Sequence, residues 1–191
     1  MIREQLASTI ELTLAAMGIA VVVGVVLGIV AAVKEHTWID HITMALALAG
    51  VSMPDFWLAL LMIYLFSIRL GWLPITGQGG IQRLIMPATV LGLTAAGLVA
   101  RLVRSSMVEV LRQEYIVTAR AKGLRERVVL NRHALRNVLI PVVTVVGLQF
   151  GRLLSGALIV ETIFARQGIG RLAINAVLVK DFPLVQGTVL F

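Results

Sequence analysis

Three polar side chains stand inside long apolar runs, where each could line a path for a solute through a membrane. Arg152 lies in a run from Val138 to Ile163, fourteen residues from its start, which is about 21 Å of helix. Gln149 precedes it by one turn and shares its general face. Asp55 follows Pro54 inside a second apolar run, Ile42 to Ile68. An arginine at mid-membrane costs about 3 kcal/mol on insertion scales, so by default it faces protein or water. Two readings stay open for each. Arg152 and Gln149 form a path-lining pair, or Arg152 snorkels to the outer interface or is satisfied by a neighbouring helix. Asp55 joins the path, or marks a structural break that faces protein or a cavity.

No other constellation supports chemistry. His36, His41 and His133 are not grouped with acids at metal-ligand spacing. There is no cysteine, no serine in a nucleophile elbow and no GxxxxGK[ST] phosphate loop. Gly168-Ile169-Gly170-Arg171-Leu172-Ala173 fits a dinucleotide fingerprint in letters only. It follows the end of an apolar run rather than a strand, and no βαβ unit surrounds it. The expectation is no catalytic residue, no cofactor and no metal.

The elements that must hold these residues are membrane helices. Of 191 residues, 59% are apolar and 14% charged, with mean hydropathy +0.95. Soluble domains are nearer half apolar and a quarter charged. The composition excludes a disordered tail, a collagen or a disulfide scaffold. It also argues against a cytosolic enzyme, because one small soluble core could not hide this much apolar surface. Spans are expected at 9–33, at 42–68 with a kink or break at Pro54, at 84–103 and at 138–163. A fifth run starts at Leu184. Eight residues rise only about 12 Å, so the chain is expected to be a piece of a longer membrane protein. Gly24 and Gly28, and Gly147 and Gly151 with Ser155 beyond, are small-residue pairs suited to close helix packing.

The net charge of +7 is concentrated. Residues 101–136 carry nine Lys/Arg against Glu109, Glu114 and Glu126. Flanking apolar runs make this a cytoplasmic loop under the positive-inside bias rather than a nucleic-acid patch. Alternation then puts 34–41 inside, and 69–83 and 164–183 outside. Within the loop, Tyr115 to Lys122 read as a helix, Gly123 as its C′ residue, and a second helix runs from about Arg125 into the next span. Ile116, Ala119, Leu124 and Val128 form an apolar stripe. Such a basic hairpin suits anionic lipid or a partner's groove.

Ala119-Arg120-Ala121-Lys122-Gly123-Leu124, followed by His133-Ala134-Leu135-Arg136-Asn137 and Pro141, resembles the cytoplasmic EAA loop of ABC importer permeases of the dipeptide/oligopeptide/nickel branch. The resemblance extends over nearly the whole chain. Gly50-Val51-Ser52-Met53-Pro54-Asp55-Phe56-Trp57-Leu58, Arg69-Leu70-Gly71-Trp72-Leu73-Pro74, Arg104-Ser105-Ser106-Met107, Glu161-Thr162-Ile163-Phe164, Gly168-x-Gly170-x-Leu172 and Asp181-Phe182-Pro183-Leu184-Val185-Gln186-Gly187 fall in the branch's order. Departures from the general EAA pattern are Val117 and Thr118 for Glu and Ala, and His133 for an isoleucine. The late Pro141 and Gln167, where the branch usually has proline, depart further.

The resemblance implies an all-α, polytopic transmembrane bundle of about four complete spans plus the start of a fifth. Residues 1–191 would be one permease domain, with the coupling loop at 104–137. It implies a bacterial or archaeal cytoplasmic membrane, a second homologous permease subunit, two cytoplasmic ABC ATPase subunits, an extracytoplasmic solute-binding protein, and no nucleic acid. The ATPase would meet Tyr115, Thr118, Ala119, Arg120, Ala121, Lys122, Gly123, Leu124, Arg125, Glu126 and Arg127. Ala119 and Ala121 would permit close approach, and the basic side chains would supply polar contacts, while Arg112 and Arg132 would rather meet lipid headgroups. The solute would be a dipeptide, an oligopeptide, glutathione or a nickel chelate. The competing class is a channel or scaffold whose basic loop binds lipid.

Overall fold

Long apolar runs without turn residues can satisfy their backbone in lipid only as helices. The computed structural model describes residues 2–189, and no strand occurs among them. The helices are α1 (Ile2–Val33), α2 (Trp38–Ser52), α3 (Asp55–Met62, continued by a π-helical stretch Ile63–Arg69) and α4 (Ile81–Leu111). They are followed by α5 (Glu114–Ala121), α6 (Glu126–Val128), a π-helical stretch Val129–Ala134, α7 (Leu135–Ile163), α8 (Ile169–Leu178) and α9 (Phe182–Val189). Among the described residues three helices are long and apolar enough to cross a membrane, and α2 with α3 makes a fourth if the bent pair is one span. The chain is a multi-pass helical membrane protein.

The break expected at Pro54 lies between Ser52 and Asp55, but it is no mild kink. The axes of α2 and α3 differ by 103°. Pro54 has no N–H, and it pushes the preceding residue out of the helical region. Met53 is accordingly extended, with φ −78° and ψ 128°.

At the centre α1 lies along α4, and glycine sets the distance. A Cβ on Gly24 would stand 2.6 Å from Val99 Cβ, and one on Gly28 would stand 2.6 Å from Val103 Cβ. Gly24 and Gly28 therefore form a packing seam, whereas Gly147 and Gly151 meet nothing within 4 Å in this chain. Gly24→Leu is expected to force α1 from α4 and cost at least about 2 kcal/mol, seen as a lowered unfolding temperature in detergent.

Polar contacts gather at the two ends of the bundle. At one end Arg104 grips Asp40 through Nε–Oδ1 and Nη2–Oδ2, both 2.6 Å, and Asp40 also accepts the His36 N–H at 3.2 Å. Arg112, expected to meet headgroups, pairs with Glu35 at 3.0 Å. These contacts join 34–41 to the end of α4 that leads into the basic loop. At the other end Thr9 meets Glu161, Arg166 meets Glu11, and the Gly77 N–H bonds the Phe164 carbonyl. Asp40→Asn would leave the Arg104 fork half matched beside a side chain only 2% exposed. The expected loss is about 1.5–3 kcal/mol, that of a hydrogen bond to a charged group, measurable by thermal unfolding of the purified protein.

Candidate functional site

Two places bring the sequence-derived candidates together. The first is the loop between α4 and α7. Its leading residues, from Arg104 to Leu111, are the last turns of α4 itself. After Gln113, α5 runs to Ala121 and closes with two hydrogen bonds, Leu124 N–H to the Ala119 carbonyl at 3.4 Å and Gly123 N–H to the Arg120 carbonyl at 2.9 Å. This 6→1, 5→2 pattern is a Schellman motif. It needs a left-handed residue at its C′ position, and Gly123 supplies it with φ +75°. Arg125, extended, then starts α6.

The apolar stripe divides at that turn. Ile116 and Ala119 are buried with Val103, Met107, Val129 and Val138, while Leu124 and Val128 are exposed. Ala119 therefore faces this chain's own core. Thr118, Arg120, Ala121, Lys122, Gly123, Leu124, Arg125, Glu126 and Arg127 are all exposed. Arg120 embraces Glu126 across the turn, Nη2–Oε1 2.6 Å and Nε–Oε2 3.2 Å. That carboxylate raises the Arg120 pKa further, so the guanidinium is permanently charged. The Tyr115 hydroxyl accepts a hydrogen bond from Asn137 Nδ2 at 2.7 Å, tying α5 to the base of α7. The result is a mostly basic hairpin fixed to the bundle by its buried face.

The second place is a cavity of about 290 Å³ lined by Asp55, Leu91, Thr94, Ala95, Gln149, Arg152 and Leu153. All three intramembrane candidates are in it. The break at Pro54 puts Asp55 in the first turn of α3, and α7 carries Gln149 and Arg152 on one face. Arg152 Nη1 lies 3.4 Å from Gln149 Oε1. Gln149 is buried and Arg152 is exposed in the single chain. Thr94 was not foreseen. Its hydroxyl bonds the Leu91 carbonyl at 2.9 Å and neighbours Asp55.

These features define a polytopic membrane protein with a basic hairpin between two of its long helices and a cavity lined by charged side chains. Residues 24–191 match the family described as "Binding-protein-dependent transport system inner membrane component", and the chain belongs to that family. Membership places it in the cytoplasmic membrane. It is 48% identical over 198 residues to a putative peptide transport system permease protein of Brucella abortus (strain 2308), covering 100% of this chain and 63% of that protein. It is 45% identical to the dipeptide transport system permease protein of Alkalihalophilus pseudofirmus, with 97% and 64% covered. It is also 45% identical to the glutathione transport system permease protein of Escherichia coli K12, with 95% and 60% covered. The chain thus spans less than two thirds of the length of these relatives. In fold it is similar to the MetNI methionine ABC transporter in an inward-facing conformation, at TM-score 0.79 and 16% identity, covering 96% of this chain and 83% of that one. It is likewise similar to an amino acid ABC transporter, at TM-score 0.74 and 17% identity, with 99% and 84% covered.

Proposed function

We propose that this chain is part of the transmembrane subunit of an ATP-driven importer for peptides or a related solute such as glutathione. The reading rests on the exposed hairpin at 115–127, held rigidly beneath two membrane helices in a family of importer components. An ATPase seated on Thr118, Arg120, Ala121, Lys122 and Arg125 would move α4 and α7 as a unit, because Ile116 and Ala119 are packed between them. The chain itself does no chemistry, and ATP hydrolysis belongs to the partner. A second permease subunit, two ATPase subunits and an outer solute-binding protein complete the assembly. Asp55, Gln149 and Arg152 line the solute path.

The test is co-purification and import. The full-length protein, expressed with the ATPase and permease genes beside it, is expected to capture the ATPase and to import a dipeptide into vesicles on ATP. Loop binding that needs only anionic lipid and fades with salt would instead mark a lipid-anchored scaffold.

A further inference from the structure

We infer that the cavity between α3, α4 and α7 recognises the two charged ends of a zwitterionic solute, an ammonium group at Asp55 and a carboxylate at Arg152. This rests on the reading of that cavity as part of the solute path. The observation that carries it is a pair of opposite charges that share a cavity without pairing. Arg152 has one long hydrogen bond, to Gln149, and no ion pair joins it to Asp55 among the described residues. A guanidinium has five N–H donors, so most of this one is uncommitted. Elsewhere the same chain pairs its arginines closely, Arg104 with Asp40 and Arg120 with Glu126, each at 2.6 Å.

Charges at membrane depth are costly unless paired or wet. A purely structural Asp and Arg lining one space would be expected to close on each other. These two are set on different helices, Asp55 by the Pro54 break and Arg152 by α7. Gln149, buried beside Arg152, occupies part of that guanidinium and leaves its carboxamide nitrogen for a solute carbonyl.

The rest of the wall is Leu91, Ala95 and Leu153, with Thr94, whose hydroxyl bonds its own helix. That combination accepts a short chain with small side groups and charged termini. Two extended residues span at most about 7 Å, and a 290 Å³ cavity is near the lower end of small-molecule sites. A zwitterionic dipeptide is small enough for a space of this volume.

Because the chain has no cysteine, Thr94→Cys gives a reporter inside the cavity. In the assembled transporter, without the solute-binding protein, alkylation of this cysteine by N-ethylmaleimide is followed with alanyl-alanine, its N-acetyl form or its C-terminal amide present. Leu91→Cys is used if Thr94→Cys does not assemble. Alanyl-alanine is expected to slow labelling at concentrations about tenfold lower than either blocked form. Arg152→Gln should erase the preference over the amide but keep that over the N-acetyl form, and Asp55→Asn should do the reverse. Equal protection by all three peptides, or none while the assembly imports peptide, overturns the inference and leaves the transport reading standing. Failure to import any peptide overturns the transport reading itself.

Discussion

Gly123→Pro is expected to abolish ATPase capture and ATP-driven import while leaving the protein inserted in the membrane. At this position φ is +75°, and a proline ring holds φ near −65°. The substitution also deletes the N–H that bonds the Arg120 carbonyl at 2.9 Å. Together these cost about 3 kcal/mol or more, which the turn cannot absorb without releasing α6 from α5. Arg120 and Glu126 would then separate, and the exposed basic residues would lose their fixed arrangement. Gly123→Ala keeps the N–H and adds only left-handed strain, about 1 kcal/mol, so it should weaken capture rather than abolish it. The two variants rank the turn geometry against simple loss of glycine. Equal capture by wild type and Gly123→Pro would remove the hairpin from the coupling role. A thermal unfolding curve of the bundle serves as the control, because the seam of α1 and α4 at Gly24 and Gly28 does not involve the turn.

The hairpin was legible because its geometry is local. A glycine after a basic helical end is a C′ signal, and the Schellman bonds confirm it. The inward turn of Ala119 was half legible. It shares the face of Ile116, but the stripe through Leu124 and Val128 assumes a continuous helix, and Gly123 interrupts it. Helix ends without glycine were illegible. Ala165 and Lys180 take φ +50° and +57° and close α7 and α8 with the same pair of hydrogen bonds. The closing hydrogen bonds accompany these left-handed residues, which carry no glycine to mark them in the sequence. The segment 164–183 was read only for its side of the membrane, and α8 fills ten of its residues. The cavity was legible one residue at a time, since Asp55, Gln149 and Arg152 each stood out against apolar neighbours. Their convergence depends on a 103° bend that a proline permits but does not dictate. Thr94 gave no signal, because a threonine that bonds its own helix is ordinary in a span.

Glu161→Leu is expected to unfasten the outer end of the bundle. Glu161 is 1% exposed near the end of α7, and its carboxylate gathers three elements. It accepts the Thr9 hydroxyl of α1 at 2.6 Å and the N–H groups of Gly170 and Arg171 at 3.0 and 3.3 Å. Those amides belong to the first turn of α8, where the helix dipole favours a negative partner. The Thr9 hydroxyl in turn accepts the Ile169 N–H at 3.0 Å. Glycine leaves room for the carboxylate, since a Cβ on Gly168 would overlap it. Leucine is close to glutamate in size but accepts nothing, so the Gly170 and Arg171 N–H groups would lose their acceptor, while the Thr9 hydroxyl keeps the Gln5 carbonyl at 3.2 Å. Each unmet buried donor costs about 1–3 kcal/mol, which puts the loss at about 2 kcal/mol or more. Glu161→Gln keeps one acceptor oxygen and should lose roughly half as much. The check is protease cleavage within 164–181 in oriented membranes, with cleavage fast for Glu161→Leu, intermediate for Glu161→Gln and slow for wild type. ATPase capture by the hairpin, at the opposite end of α7, should persist in both variants while import falls. Loss of capture in Glu161→Gln as well would mean that the two ends of α7 are coupled more tightly than this packing provides.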